Sequence, residues 1–250
     1  MKGAERMYTK EYFELAGING FFGNAWGTKW KAYTKLRYKR YIKLTRHIWG
    51  KGRNKILDIG CCNGDFLNML YKYNKRNDLY GIDCSLTVVS QIRNKKIHAY
   101  NYSVDEIPSS FTDYFDLCFC CGTIFYCQSY DASFSNIARC MNKEGLFLLE
   151  FNNDFNTFDR NKMIKSLKKY FSIKEVYFEY GKWYIDFFSK EWNESYAIKH
   201  ESIKLWIRTL ILLSNKFIAY LFEYFTYVVG DGELGKSGTI FLCEVKDNSV

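Results

Sequence analysis

Residues 56–67 read ILDIGCCNGDFL. Asp58 lies inside an apolar run, and Gly60, Cys61, Cys62, Asn63 and Gly64 follow as a stretch of small residues. Such a run delivers the chain to a tight turn where missing side chains admit a ligand against the backbone. The helix that begins next turns its first amides toward that ligand. Asp83 closes the next apolar run, twenty-three residues after Gly60. A carboxylate there can accept hydrogen bonds from both ribose hydroxyls of a nucleoside. A glycine turn alone is weak evidence; strand, turn, helix, strand and acid in this order are strong evidence.

These residues need a scaffold that brings strand ends together. From residue 55 onward short apolar runs alternate with helical stretches, which predicts βαβ units on a parallel sheet. Strands are expected at 55–59, 79–82, 97–100, 116–121, 146–151, 173–178 and 239–245. Helices are expected through Phe66, Leu67 and Leu70, over 86–93, and around Phe134, Ile137 and Met141, then Met163, Leu167 and Phe171. An insertion, 186–237, precedes the last strand. Its centre, 205–229, is long enough to cross a bilayer. At 100° per residue, however, Arg208, Asn215, Lys216, Glu223 and Thr226 gather on one side. That pattern predicts an amphipathic helix or helix pair: a lid, a dimer face, a helix packed on the core, or a peripheral membrane contact.

The 250 residues suit one α/β domain with additions, and 48% hydrophobic and 19% aromatic content supplies a core. The first residues lack an apolar targeting stretch, so a cytoplasmic protein is expected. Most of the nine cysteines fall in apolar, strand-like segments, which reads as buried reduced thiols. Cys118 and Cys121 have CxxC spacing, but on a strand residues three apart face opposite ways, so no metal site is expected. The net charge is +9, and residues 29–55 alone carry eleven Lys or Arg and no acid. Such a stripe steers phosphate-bearing partners or membrane headgroups, or is simply the solvated side of an amphipathic helix. Trp30, Tyr33, Leu36, Tyr41, Leu44 and Ile48 would form that helix's apolar face.

LDIGCCNGDFL, YGIDCS, VDEIPSSFTDYFDLCFCC and MNKEGLFLLEF, with a looser echo in MYTKEYFE, resemble class I S-adenosylmethionine-dependent methyltransferases. The branch is similar to ubiquinone-biosynthesis and polysaccharide-cluster methyltransferases. The resemblance covers about 55–151 and returns in the final strand. It implies a Rossmann-like seven-stranded, mostly parallel sheet with an antiparallel last strand, flanked by helices. Residues 1–50 would be a helical cap and 51–250 the cofactor-binding domain with its insertion. Asp58 and Gly60, with Cys61 and Cys62, would hold the methionine end of S-adenosylmethionine. Gly64 would allow its close approach, and Asp83, followed by Cys84, would grip the ribose. Ser103 and Val104 would border the adenine, and the Cys120 carbonyl would accept from its amino group. Arg37 or Arg40 matches the arginine that some relatives aim at the cofactor carboxylate. S-adenosylhomocysteine would be the product.

Three departures stand out. Cys62 replaces the usual central glycine of the turn. Ser103 replaces an acid, and Phe125-Tyr126 stand where a Glu-His pair is common. A dinucleotide dehydrogenase fits poorly, because Asp58 would face a pyrophosphate, whereas it suits a cationic amino group. Methyl transfer requires nucleophile, methyl and sulfur in line, a positioning effect worth ~7–11 kcal/mol. Tyr126 and Asp154 are the candidate catalytic residues, with Asn152 beside them; Asp154 is the better base, since a phenol of pKa about 10 is a poor one. Trp26, Trp30, Trp183, Tyr184 and Trp192 could wall an apolar pocket. The expected acceptor is an O or N nucleophile on a small molecule: a sugar, a quinone-like ring or a specialised metabolite. The chain would act as monomer or homodimer. The alternatives are an RNA methyltransferase using the 29–55 stripe and a catalytically degenerate partner protein.

Overall fold

The structure, a computed structural model, describes residues 10–18, 31–50, 52–152, 159–178 and 238–246. The 186–237 insertion, Asp154 and the five candidate pocket aromatics lie outside them. The chain divides into two compact units. One comprises Met1–Phe151, Thr157–Val176 and Phe241–Val250; the other comprises Asn152–Asn156 and Tyr177–Ile240, which takes in the insertion. Helices α1 (Lys10–Ile18), α2 (Lys31–Leu44) and α3 (Arg46–Trp49) precede the sheet.

The sheet contains β1 (Lys55–Ile59), β2 (Asp78–Ile82), β3 (Ile97–Tyr100), β4 (Phe115–Cys121), β5 (Met141–Asn152), β6 (Phe171–Phe178) and β7 (Gly238–Val245). Their order is β3-β2-β1-β4-β5-β7-β6, so the expected seven-stranded, mostly parallel sheet is present, with the last strand antiparallel. β1 is flanked by parallel partners, with Ile59 level with Ile82 on one side and Cys120 on the other. Four of its five residues are buried, as a strand covered on both faces requires. The crossovers are α4 (Asp65–Tyr73), α5 (Leu86–Val89), α6 (Tyr130–Cys140) and α7 (Arg160–Tyr170).

Local chemistry explains the helix starts. Ser129 accepts from the Ala132 amide and Asp159 from the Lys162 amide, each capping its helix. Phe66, Leu67 and Leu70 are buried on α4, Phe134 and Ile137 on α6, and Met163 and Leu167 on α7. Aromatic rings join helices to sheet: Phe66 meets Phe119 at 4.8 Å and Phe134 meets Phe147 at 6.4 Å.

Four expectations change. α5 stops at Val89 instead of reaching Arg93, because Gln91 and Ile92 bond three residues back and tighten the chain into turns. Met141 and Phe171 open strands instead of ending helices, since β5 and β6 begin earlier than expected. The basic stretch is two helices, not one. Thr45 interrupts it, buried, with its hydroxyl donated back to the Tyr41 carbonyl at 2.8 Å. Its buried face is Tyr41, Ile42 and Trp49, while Leu44 and Ile48 are only half-buried.

Candidate functional site

The turn after β1 is tied to the end of β2 by backbone bonds: the Gly60 and Cys61 amides both donate to the Ile82 carbonyl, at 2.8 and 3.0 Å. Gly60 has φ 76°, and a Cβ built there would lie 2.1 Å from the Thr123 hydroxyl oxygen. Glycine is therefore required twice over, by conformation and by space. Gly64, at φ 76°, is the residue from which α4 starts. Between them Cys62 adopts φ 49°, a left-handed conformation costly to a residue with a side chain. Gly81, inside β2, leaves room for the Cys61 side chain, which a Cβ would meet at 2.7 Å.

Asp83 fastens this turn to the next. One carboxylate oxygen accepts from the Cys62 amide at 2.9 Å and the other from the Ser85 amide at 3.0 Å. Asn101 donates to its backbone carbonyl. Burial pushes its carboxyl up, against the pull of those two amides. Half-buried Cys84 lies next to it.

Asp58 is 5% exposed on β1, and no donor among the described residues reaches its carboxylate. Burial first, and then the nearby charge of Asp83, push its pKa up to about 8. A buried acid without a donor holds its proton into the neutral range, and a cation placed beside it would draw that proton off. Tyr38, on α2, lies within the field of Asp58, and its ring packs on Phe66 at 5.0 Å.

Arg37 is held. Its guanidinium donates to Glu150 at 2.6 Å and to the Tyr41 hydroxyl at 3.0 Å. Glu150, near the end of β5, is 1% exposed, and the Gly122 amide donates to its backbone carbonyl. Arg40 is buried on the same helix. Ser103 is engaged locally, accepting from the Asp105 amide at the start of a short 3-10 turn in which Val104 is buried. Cys120 is buried in β4, and burial pushes its thiol well up. Tyr126 stands in the turn after β4, packed edge-on against Phe13 of α1 at 5.2 Å. Asn152 is the last residue of β5. His98 is exposed on β3 and stacks on Tyr80.

The turn residues, Asp58, Asp83 and Cys120 thus gather around the carboxyl ends of β1, β2 and β4, where parallel sheets bind ligands. Sequence reasoning missed three residues there. Thr123 roofs Gly60. Glu150 pairs with Arg37 across 113 residues. Glu14 of α1 accepts from the Ser85 hydroxyl at 3.2 Å and from the Leu86 and Thr87 amides, docking α1 on the loop after β2. Burial raises the Glu14 carboxyl, but the hydrogen bonds from Thr87, Leu86 and Ser85 outweigh it and hold it below the usual value. The motif MYTKEYFE contained that glutamate without marking its role.

Residues 57–149 match the family model described as a methyltransferase domain. No curated protein matches the chain in sequence. Among solved structures, the cyclase SpnF is similar at TM-score 0.56 and 12% identity, over 82% of this chain and 80% of its own. The O-MT segment of StiE is similar at 0.56 and 17% identity, over 92% and 82%. Magnesium protoporphyrin IX methyltransferase from Synechocystis PCC 6803, solved with bound S-adenosylmethionine, is similar at 0.54 and 14% identity, over 71% and 92%. Because a cyclase shares the architecture, the fold alone does not specify the reaction. The chain shares the Rossmann-like fold of these structures, and its residues 57–149 match a methyltransferase domain.

Proposed function

We propose that this protein binds S-adenosylmethionine at the carboxyl edge of β1, β2 and β4 and transfers its methyl group to an oxygen or nitrogen nucleophile of a small molecule. The observation that carries the reading is the buried, uncompensated Asp58 beside a turn kept open by Gly60 and Gly64. A cationic amino group is what that carboxylate lacks. A pyrophosphate would be repelled by it.

Asp58 would receive the amino end, and the backbone of Gly60, Cys61 and Cys62 would border the methionine part. Gly64 would allow close approach. Asp83, whose oxygens are already oriented by two amides, would accept from the ribose hydroxyls, with Cys84 alongside. Val104 and Ser103 would flank the adenine, and the Cys120 carbonyl would accept from its amino group. Because the Ser103 hydroxyl already caps its own turn, the backbone and Val104 carry more of that contact. Arg37 is engaged by Glu150, so it would reach a cofactor carboxylate only by sharing or leaving that partner.

S-adenosylmethionine, when bound, supplies an activated methyl carbon. The chain's own part is to align the acceptor, exclude water and take a proton where the acceptor is a hydroxyl. Tyr126 would orient the acceptor, and Asp154 would take the proton. Residues 1–50 would cap this edge. Calorimetric titration with S-adenosylmethionine tests the reading directly. Heat of binding is expected, and it is expected to be weakened by Asp83→Asn. A flat titration beside measurable binding of a nicotinamide dinucleotide would overturn it.

A further inference from the structure

A second cleft lies at the opposite edge of the sheet. Gly50 and Gly52, before β1, and Asn74 and Arg76, before β2, line it with Lys39, Lys43, Arg46, Trp49 and Tyr73. Its volume is about 490 Å³, within the range of small-molecule and nucleotide sites. β1 alone, five residues long, separates it from the proposed methyl-transfer edge by about 17 Å, so it is no part of that site.

The lining is chemically one-sided. Lys39, Lys43 and Arg46 recur at helical spacing along α2 and α3, and Arg76 faces them from the loop after α4. All four are exposed, no carboxylate lines the cleft, and none of the four has an ion-pair partner among the described residues. The neighbouring cation Arg53 does have one, in Asp78. Tyr73 leaves 53% of its surface exposed, with its ring edge-on to buried Trp49 at 5.9 Å. Cations for phosphates beside a half-exposed aromatic ring for a base are the two parts of a single-stranded nucleic-acid site. Lys72 and Lys75, also exposed, carry the positive surface beyond what one nucleotide could engage. A bilayer is flat on this scale and could not enter the cleft, and stable docking on it would want apolar side chains projecting past the cations. Here the tryptophan is buried and the cations stand outermost.

We infer that this cleft docks single-stranded RNA, with Lys39, Lys43, Arg46 and Arg76 on successive phosphates and Tyr73 stacked on a base. The inference is independent of the methyl-transfer reading, because its test uses no S-adenosylmethionine. Anisotropy of a labelled oligouridylate is followed at rising salt with the full chain. Binding at low salt is expected, with log affinity falling against log salt at a slope of about −3 for four phosphate contacts. The triple change Lys39→Gln, Lys43→Gln, Arg46→Gln is expected to flatten that slope by about 2. Tyr73→Ala is expected to weaken binding roughly 5- to 150-fold with the slope unchanged. Thermal unfolding of each variant confirms that these exposed changes leave the fold intact; Arg76→Gln, alone on its loop, gives a second reading of the slope. No binding at low salt overturns the inference. So does an unchanged slope in the triple variant, an unchanged affinity in Tyr73→Ala, competition by uridine monophosphate equal to that of the oligomer, or flotation with phosphatidylserine vesicles without affinity for RNA.

Discussion

Replacing Asp58 by Asn separates the two costs that a buried acid imposes. With its pKa near 8, about one molecule in ten carries the carboxylate at pH 7, and about one in a hundred at pH 6. A ligand whose amino group titrates at about 7.7–8.0 must meet it charged against charged. The fraction of encounters with both charges present rises about eightfold from pH 6 to pH 7, peaks near pH 8 and falls beyond it. Affinity for S-adenosylmethionine is expected to follow that bell, with proton release on binding below pH 8 and uptake above it. The pair itself is a charge-assisted hydrogen bond worth about 1.5–3 kcal/mol, so Asp58→Asn should cost roughly 10- to 150-fold near pH 8 and almost nothing at pH 6.

Stability moves the other way. The folded pKa of Asp58 lies above its ordinary value of 3.8, so the folded state holds a proton the unfolded chain releases. Ligand-free stability therefore declines as pH rises from about 4 to about 8, by at most ~5 kcal/mol. Asp58→Asn removes that loss, and the variant should melt higher than the wild type at pH 8 while binding worse. Calorimetry in buffers of different ionisation heat, with melting curves at pH 6 and 8, reads both. An affinity indifferent to pH between 6 and 7, or a variant that melts lower at pH 8, would refute the reasoning.

Gly60→Ala forces a left-handed alanine against Thr123, at a cost of roughly 3 kcal/mol or more; Thr123→Gly in the same chain should recover part of the loss in denaturant unfolding. Arg37→Met leaves Glu150 buried without its guanidinium and should cost about 3–5 kcal/mol at neutral pH. That loss should shrink as pH falls and the carboxyl takes a proton, and Arg37→Met with Glu150→Leu should restore most of it in the same melts. Glu14→Gln should speed amide exchange in α1 and at residues 85–87 several-fold at pH 7. Because the Glu14 carboxyl is held below its ordinary 4.5, the docking it supports is present above that pH and lost below it, so the two proteins should exchange alike in acid. Cys62→Gly trades left-handed strain against unfolded-state entropy, so stability should shift by less than ~0.5 kcal/mol; binding of S-adenosylmethionine should tighten in titration, because the turn widens.

The sheet was legible because its signals are local. Each strand of β1 to β4 is an apolar run closed by a small or acidic residue, and Asp58, Gly60 and Asp83 are placed by spacing alone. Strand lengths were less legible: β5 begins at Met141, where the helical pattern through Phe134 and Ile137 was still in phase. The break at Thr45 was hidden for a related reason. Threonine is tolerated in helices, and what ends this one is a buried hydroxyl turned back on its own backbone.

What the sequence hid most completely is how the site's charges are compensated. Arg37 reads as a free cation, one of eleven in a basic stretch, and the natural expectation is that it greets a cofactor carboxylate. Its partner Glu150 reads as one of two acids in an ordinary strand. Neither residue announces the other across 113 positions, yet their contact decides what each can do. A guanidinium already matched to a buried carboxylate contributes little net charge to an incoming ligand. With Arg37 matched to Glu150, the acid left without a partner at this edge is Asp58, which burial holds largely protonated at neutral pH and which a bound cation would ionise. On the proposed reading, such an edge favours a ligand that arrives positive. A sulfonium with an ammonium group has that charge, and a dinucleotide has the opposite one.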